Sequence, residues 1–213
     1  MRSQLPVATK ASRLTPLESE TVDLFSWGEL PVTQGTAEEF TILDMCCGGK
    51  SFWFNPLPRS VLFGDIRNGD FLARDSTYAT GERAISVRPG IVFDYTSLPF
   101  GDCVFSMVVF DPPHFWNMGK ESILAKKYGQ LPRNWKPGIR AGFAEAFRVL
   151  DLGGILIFKW NEDQIPVSEI LECCEYIPLL GHKSGRASKT HSLTFLKTPS
   201  RKKHLVSHKI PSR

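Results

Sequence analysis

The fold of this chain is decided by one stretch, Val108-Val109-Phe110-Asp111-Pro112-Pro113-His114. A short apolar run followed by strong breakers is typical of a buried β-strand. Proline has no N–H to donate to a neighbouring strand, so the strand must end at Asp111. In open α/β sheets, ligands bind in the crevice at the carboxyl ends of the strands. The stretch therefore predicts a carboxylate and a proline carbonyl, held by stiff backbone, at the mouth of a ligand site.

Three earlier segments also read as strands that end in an acid. The four predicted strands are residues 40–45, 61–66, 91–94 and 105–110, and their acids are Asp44, Asp65, Asp94 and Asp111. One acid at the end of a strand is common. Four at one edge of a sheet are hard to explain as structure alone, because each carboxylate there needs a partner or water. The pattern favours a functional edge.

The remaining segments complete an α/β pattern. Apolar residues at helical spacing predict an amphipathic helix over 139–150, after Pro137 and ending at Gly153 and Gly154. A fifth strand is expected over 155–160, a helix from Pro166, a basic loop from Gly181 to Lys189, and a last strand over 190–197. Residues 68–90 are polar and rich in glycine, which disfavours a full crossover helix.

Composition bounds the class of protein. The 213 residues carry 42% apolar side chains and a net charge of +4, which is ordinary for a globular domain. The charge is uneven, because residues 176–213 hold nine Lys or Arg and no Asp or Glu. A basic end indicates either a polyanionic partner or a solvated tail. Neither a signal-peptide core nor an apolar run of membrane length is seen, so we expect a cytoplasmic protein without membrane contact.

The five cysteines indicate buried thiols. Two pairs are directly adjacent, Cys46-Cys47 and Cys173-Cys174, and Cys103 stands alone. Adjacent cysteines are a poor geometry for a disulfide framework, and the Cys-x-x-Cys spacing of zinc sites is absent. We therefore predict no bound metal.

Small residues follow the first predicted strand. Asp44 is followed after one residue by Cys46, Cys47, Gly48 and Gly49, which would let backbone approach a ligand closely. Asp65 comes 21 residues after Asp44, at the end of the second strand. An acid at that spacing suits bonding to ribose hydroxyls. Together the two segments predict a nucleotide-like cofactor.

Residues 115–137 form a long loop with a short helix, in which lysines and arginines alternate with aromatic residues. Cations interleaved with aromatics suit a charged backbone with stacked bases. The alternative is a lid whose aromatic side chains pack on the sheet. Both interpretations stay open from the sequence.

The combination resembles the class I S-adenosylmethionine-dependent methyltransferases over residues 37–197, with an N-terminal extension over 1–36 and a basic tail over 198–213. The matching motifs are Asp44-Met-Cys-Cys-Gly48-Gly49, Asp65, Asp94-Tyr95 followed by Leu98-Pro99-Phe100, Asp111-Pro112-Pro113-His114, and Phe147 to Gly154. Small phage and prophage methyltransferases with a Cys-Cys-Gly loop and Asp-Pro-Pro-His are similar. The resemblance implies a Rossmann-like, doubly wound, seven-stranded and mostly parallel sheet.

The resemblance also implies a cofactor and its contacts. S-adenosylmethionine would lie with its methionine part over Cys46, Cys47, Gly48 and Gly49 next to Asp44, its ribose on Asp65 beside Ile66, and its adenine at Asp94 and Tyr95. The sequence departs from the usual pattern in one place here. The third glycine of the loop is absent, and Lys50-Ser51 stand in that region.

For the acceptor, the resemblance implies an exocyclic amine, with adenine N6 in DNA or RNA as the leading expectation. Asp111 and the Pro112 carbonyl would accept its N–H groups, and Pro113 and His114 complete the catalytic motif. His114 replaces the usual aromatic residue. It would stack on the base, take up a proton, or hydrogen-bond within the loop. Further substrate contacts are expected from Phe115, Trp116, Lys126, Lys127, Trp135, Lys159 and Asn161.

Other functions are kept open or disfavoured on residue grounds. The same fold could serve a small-molecule or protein target, or a domain that binds cofactor or nucleic acid without catalysis. A cytosine C5 enzyme is disfavoured because no Pro-Cys pair supplies the nucleophile. A dehydrogenase is disfavoured because Gly-x-Gly-x-x-Gly is missing. Protein partners cannot be inferred.

Overall fold

The computed structural model describes residues 40–119, 122–185, 187–199 and 202. The strands are β1 (Ile42–Asp44), β2 (Val61–Asp65), β3 (Gly69–Arg74), β4 (Glu82–Val87), β5 (Ile91–Val92), β6 (Phe105–Phe110), β7 (Leu150–Asn161), β8 (Leu180–Lys183) and β9 (Thr190–Leu196). The helices are α1 (Ile123–Tyr128), α2 (Lys136–Val149) and α3 (Val167–Leu171). The predicted extension over 1–36 and most of the predicted tail over 198–213 lie outside the described residues.

Seven strands form one sheet in the order β5-β2-β1-β6-β7-β9-β8. The first five of these strands pair in parallel, whereas β9 is antiparallel to both β7 and β8. The predicted mostly parallel, seven-stranded sheet is confirmed. Because parallel strands share a direction, their carboxyl ends meet along one edge.

Strand register brings the predicted acids to that edge. Asp44 pairs with Phe63 on one side and with Val109 on the other, so Asp65 and Asp111 each lie two residues beyond its partners. Asp65 in turn pairs with Val92, two residues before Asp94. The two prolines end β6 at Phe110, as the sequence predicts.

The main core lies between α2 and one face of the sheet. Phe143 of α2 packs against Phe110 and Phe158, with ring centroids 5.6 Å and 4.8 Å away, and all three side chains are buried. Phe147 on the next turn stacks on Tyr176 at 3.9 Å. Burying each such ring contributes about 1.5–3 kcal/mol. Pro137 in the first turn starts α2 close to the predicted position.

Two local predictions need correction. The helix ends at Val149 rather than at the two glycines, and Gly153 and Gly154 lie inside β7, where Gly153 has φ +80° and donates its N–H to the Lys197 carbonyl. The predicted basic loop contains the edge strand β8.

Residues 68–90 form no crossover helix, as predicted, and contain the β3–β4 hairpin instead. The turn of this hairpin is held by Asp75, whose side chain accepts from Thr77 and whose backbone N–H donates to the Gly81 carbonyl.

The described residues add three further findings. Cys47, Cys173 and Cys174 are buried as predicted, whereas Cys103 is exposed and Cys46 is half-buried. Within the described ranges, no group of three or more metal-ligating side chains converges. None of the described helices is long and apolar enough to cross a membrane.

Replacing Gly64 by alanine is expected to destabilise the fold by about 2 kcal/mol, because overpacking a closed core forces rings off their minima. A methyl group at Gly64 in β2 would lie 2.0 Å from Cζ of the buried Phe93. Urea unfolding measures the change. Gly101→Ala is the control, since its methyl would meet only Val104 at 3.8 Å. Equal midpoints for the two variants would contradict this packing.

Candidate active site

Three of the four predicted acids gather at the carboxyl edge of the sheet, and two of them are deeply buried. Asp44 is 2% exposed and Asp65 is 4% exposed. Burial raises the pKa of Asp44 to about 7, with smaller contributions from the charges of Asp111 and Asp65, and against the opposing hydrogen bonds from Trp53 and Cys46. Asp94 differs, because it is exposed and closes its own turn with Thr96. This edge therefore brings three carboxyl groups close enough to affect one another.

A cavity of about 380 Å³ opens beside these acids. Five residues that were predicted to hold a cofactor line it, namely Cys46, Asp65, Ile66, Asp94 and Tyr95. Its apolar wall is completed by Met45, Pro113, Tyr128, Leu131, Pro132 and Trp135. A carboxylate rim around an apolar slot suits a ribose joined to a flat ring.

The predicted glycine loop lines a second, much smaller cavity of about 20 Å³, together with Asp44 and Asp111. Cys46, Cys47, Gly48 and Gly49 all contribute to its wall. Gly48 has φ +50°, and a methyl group there would lie 3.5 Å from the Lys127 carbonyl at the end of α1. The end of α1 therefore lies next to the loop.

Arg67 is the residue of this site that sequence reasoning missed. Its Nε and Nη2 donate to the two oxygens of Asp65 at 3.0 and 3.1 Å, and its Nη1 donates to the Lys126 carbonyl at 3.1 Å. Together with Cys46 and Tyr128, Arg67 lines both cavities. No motif marks it, and the only available signal was a cation two residues after an acid.

Asp111 is paired on one side and open on the other. Its Oδ2 accepts from Lys159 Nζ at 2.8 Å, so Lys159, which is predicted to contact substrate, binds the Asp111 carboxylate in this structure. Its Oδ1 is buried and has no hydrogen-bond partner among the described residues. The nearest imidazole nitrogen, His114 Nε2, is 3.7 Å away, too far for a hydrogen bond. A buried acceptor in this state calls for a donor.

His114 does not offer a free face for stacking. The side chain is 6% exposed and lies against the rings of Phe115, Tyr128 and Trp160. Burial lowers its pKa, against the opposing charge of Asp111, which favours neutral imidazole. Nδ1 has no partner within the described part of the chain. Of the three roles the sequence left open, stacking is the one this geometry disfavours.

The other predicted substrate residues lie in three separate places. Trp116 and Trp135 line a cleft of about 440 Å³ with Arg133, Gln164, Ile165 and Glu169. Lys126 and Lys127 lie on α1, where Lys127 Nζ is 4.9 Å from the Tyr128 ring. Asn161 lies at the end of β7, where it donates to Thr190 Oγ1 and accepts from the Asp163 N–H, so it ties strand ends together.

The basic end of the chain is partly neutralised by acids. Lys183 Nζ and His191 Nε2 lie 2.6 and 2.9 Å from Glu162, and Lys189 pairs with Asp163. The contacts with Lys183 and His191 lower the pKa of Glu162 to about 2. The uneven charge of the sequence therefore overstates the positive charge that this part of the surface offers to a polyanion.

No protein-family model and no curated protein matches this chain. Among solved structures, it is similar to a protein from Pyrococcus horikoshii (16% identity, 74% of this chain, 81% of that chain, TM-score 0.47). It is also similar to a TehB-like SAM-dependent methyltransferase from Corynebacterium glutamicum (16%, 75% and 81%, TM-score 0.46). A third is 1,6-didemethyltoxoflavin-N1-methyltransferase from Burkholderia thailandensis (15%, 74% and 70%, TM-score 0.43).

At these identities and TM-scores, the similarity carries no conclusion about ligand or activity. The assignment of the fold comes instead from the sheet, where β5-β2-β1-β6-β7 run in parallel and β9 returns antiparallel between β7 and β8. That order and those directions are the ones of the class I methyltransferase fold, with the acids at its carboxyl edge.

Proposed function

We propose that this protein is an S-adenosylmethionine-dependent methyltransferase that methylates an exocyclic amino group, with adenine N6 in DNA or RNA as the acceptor. The observation that carries the proposal is Asp111 Oδ1, a buried acceptor without a partner among the described residues, at the end of β6. The N–H group of an amine is a donor that such an atom can accept.

The residues at the carboxyl edge fit this cofactor. Its sulfonium and ammonium groups are cations, and Asp44, which accepts from the Trp53 indole and the Cys46 N–H rather than pairing with a lysine or arginine, is the candidate acid for them. Asp65 is the candidate for the ribose, and Ile66 and Tyr95 line the slot for the adenine. Gly48 and Gly49 form the wall on the methionine side. When bound, the cofactor supplies a methyl group on a positively charged sulfur, which is already a reactive donor.

The chain's own contribution to catalysis is to position the acceptor. The lone pair of an aromatic amine is conjugated with its ring and is a poor nucleophile. If Asp111 Oδ1 and the Pro112 carbonyl accept its two N–H groups, the nitrogen is held with its lone pair free to face the methyl donor. Lys159 holds the carboxylate in place through Oδ2. Cys46 is excluded as a nucleophile, because burial raises the pKa of its thiol.

The cleft beside the cofactor slot supports a nucleic acid as the acceptor. Trp116 is half-buried, and Arg133 lies 6.0 Å from its ring centroid. The backbone of Trp116 is fixed from both sides, since its N–H donates to Gln164 and its carbonyl accepts from Gln130. A fixed ring next to a cation suits a stacked base with its phosphate. A small-molecule amine is the second candidate, because the basic end is paired with Glu162 and Asp163.

The deciding experiment is transfer of labelled methyl groups to DNA, RNA and free adenosine, with nucleoside analysis by mass spectrometry. N6-methyladenine in one of the polymers is the expected product. Transfer to adenosine alone would favour the small-molecule acceptor. Absence of transfer, with S-adenosylmethionine bound in calorimetry, would replace the proposal with a binding domain.

Replacing Trp116 by alanine is expected to weaken oligonucleotide binding by about tenfold, because stacking of one base contributes about 1–3 kcal/mol. Fluorescence anisotropy of a labelled oligonucleotide measures the change, and cofactor affinity should not move. Tyr78→Ala is the matched control, since Arg83 lies 5.7 Å from that ring and Tyr78 lines none of the cavities described above. Equal effects of the two substitutions would contradict a stacking role for Trp116.

A further inference from the structure

Arg67 hydrogen-bonds to Asp65, the acid that would bind the ribose in the proposed function. Asp65 accepts four N–H groups: those of Arg67 Nε, Arg67 Nη2, the Arg67 backbone and the Gly48 backbone, at 2.9 to 3.1 Å. A carboxylate offers about four lone-pair positions. The two backbone donors belong to the glycine loop and to the turn after β2, whereas the two guanidinium donors belong to a side chain, which can change its rotamer. Ribose hydroxyls therefore compete with the guanidinium for Asp65.

The same guanidinium also holds α1. Its third nitrogen, Nη1, donates to the Lys126 carbonyl across 59 positions of sequence. Two glycines lie beside it, since a methyl group on Gly48 would lie 3.8 Å from Nη2 and one on Gly129 would lie 3.9 Å from Cζ, both ordinary van der Waals distances. Arg67 thus connects the cofactor acid with the helix that covers the glycine loop.

The cavities indicate what this connection does. The slot on the adenosine side has a volume of about 380 Å³, and the one at the glycine loop only about 20 Å³. The residues that line both are Cys46, Arg67 and Tyr128, and the last of these is the final residue of α1. These three residues separate the two cavities, so a ligand that spans both cavities requires them to move.

We propose that Arg67 is a latch that ribose releases. In the free protein the guanidinium pairs with Asp65 and fixes α1 over the glycine loop. Ribose hydroxyls displace it from Asp65, its bond to the Lys126 carbonyl is lost, and the two cavities join. This inference rests on the proposed function for the identity of the cofactor, and it makes Arg67 a positioning residue that couples binding to α1.

Calorimetry with neutral probes tests the competition. Arg67→Ala is expected to bind adenosine about tenfold more tightly, because the ribose hydroxyls no longer have to displace the guanidinium from Asp65. The affinity for 2′,3′-dideoxyadenosine, which has no competing hydroxyls, should not change. Both probes are uncharged, so the lost cation does not bias the comparison. Arg88→Ala, which breaks the exposed pair with Asp70 on the hairpin, is the control. Unchanged or weaker adenosine binding by Arg67→Ala would overturn the latch.

Hydrogen exchange of α1 separates the latch from the cofactor assignment. Without ligand, Arg67→Ala and Arg67→Lys should exchange the amides of Lys126 and Gly129 several-fold faster than the unsubstituted protein, since Lys cannot form the two-pronged contact with Asp65 and the bridge to α1 together. Unchanged exchange would overturn the latch. Faster exchange without adenosine binding by any variant would support the contact between Arg67 and α1 and refute the proposed function instead.

Discussion

Replacing Asp111 by asparagine is expected to slow methyl transfer by about a thousandfold, the scale on which one misplaced polar group in a preorganised site acts. Lys159 requires an acceptor, so the amide oxygen of the new side chain will turn towards it. The amide NH₂ then faces the N–H group of the amine, and because both groups are donors no hydrogen bond forms between them. Single-turnover transfer from labelled S-adenosylmethionine measures the loss. Calorimetry should show cofactor affinity retained.

A matched variant separates this role from the ion pair. Lys159→Met removes the cation but leaves the carboxylate, whose Oδ1 still lies open to the amine. We expect a loss of only about tenfold, because Asp111 becomes less well oriented rather than replaced. If Asp111→Asn transferred methyl groups at an unchanged rate, the assigned role of Asp111 would be wrong.

Replacing Asp44 by asparagine is expected to remove a strong pH dependence of stability. The carboxyl group has a pKa of about 7 when folded and about 3.8 when exposed, because burial penalises its charge. Between these values the folded state binds a proton that the unfolded state has lost. Stability therefore falls as pH rises from about 4 to 7, by up to about 4 kcal/mol, and changes little above that range.

The measurement is urea unfolding of both proteins from pH 4 to 8. The difference in free energy of unfolding, variant minus unsubstituted protein, should grow in favour of the variant as pH rises. Trp53→Phe supplies a directional control, because the Trp53 indole donates to Asp44 at 2.7 Å and lowers its pKa. Losing that bond should shift the pH transition upwards. A difference that stays constant with pH would contradict the perturbed carboxyl group.

The strands β1, β2 and β6 were predictable because the sequence signals that mark them are local. Apolar runs that stop at Asp44, Asp65 and Asp111 give both the strand and its end, and two prolines fix the limit of β6. Once parallel pairing is assumed, the gathering of these acids follows without further information. The amphipathic spacing of α2 is equally local, since it depends on residues three or four apart.

The rest depended on partners that are distant in sequence. Lys159 binds Asp111 across 48 positions, and a lysine two residues before a strand end gives no sign of such a choice. Arg67 reaches the Lys126 carbonyl across 59 positions. The burial of His114 was unpredictable for the same reason, because Trp160 and Tyr128 come from two other segments. Gly153 and Gly154 misled because glycine starts a strand bend as readily as it ends a helix.

The pairing of β1 with β6 has a consequence for how the chain is made. Leu43 of β1 pairs with Val108 of β6, so β1 leaves the ribosome about 65 residues before its partner exists. At ordinary rates of synthesis that interval lasts roughly 3–13 s. During it β1 and β2 have an unpaired edge, and neither residues 45–60 nor residues 66–104 supply a helix to cover them. The half of the sheet that carries Asp44 and Asp65 is therefore the part that a nascent chain leaves longest open to misassociation.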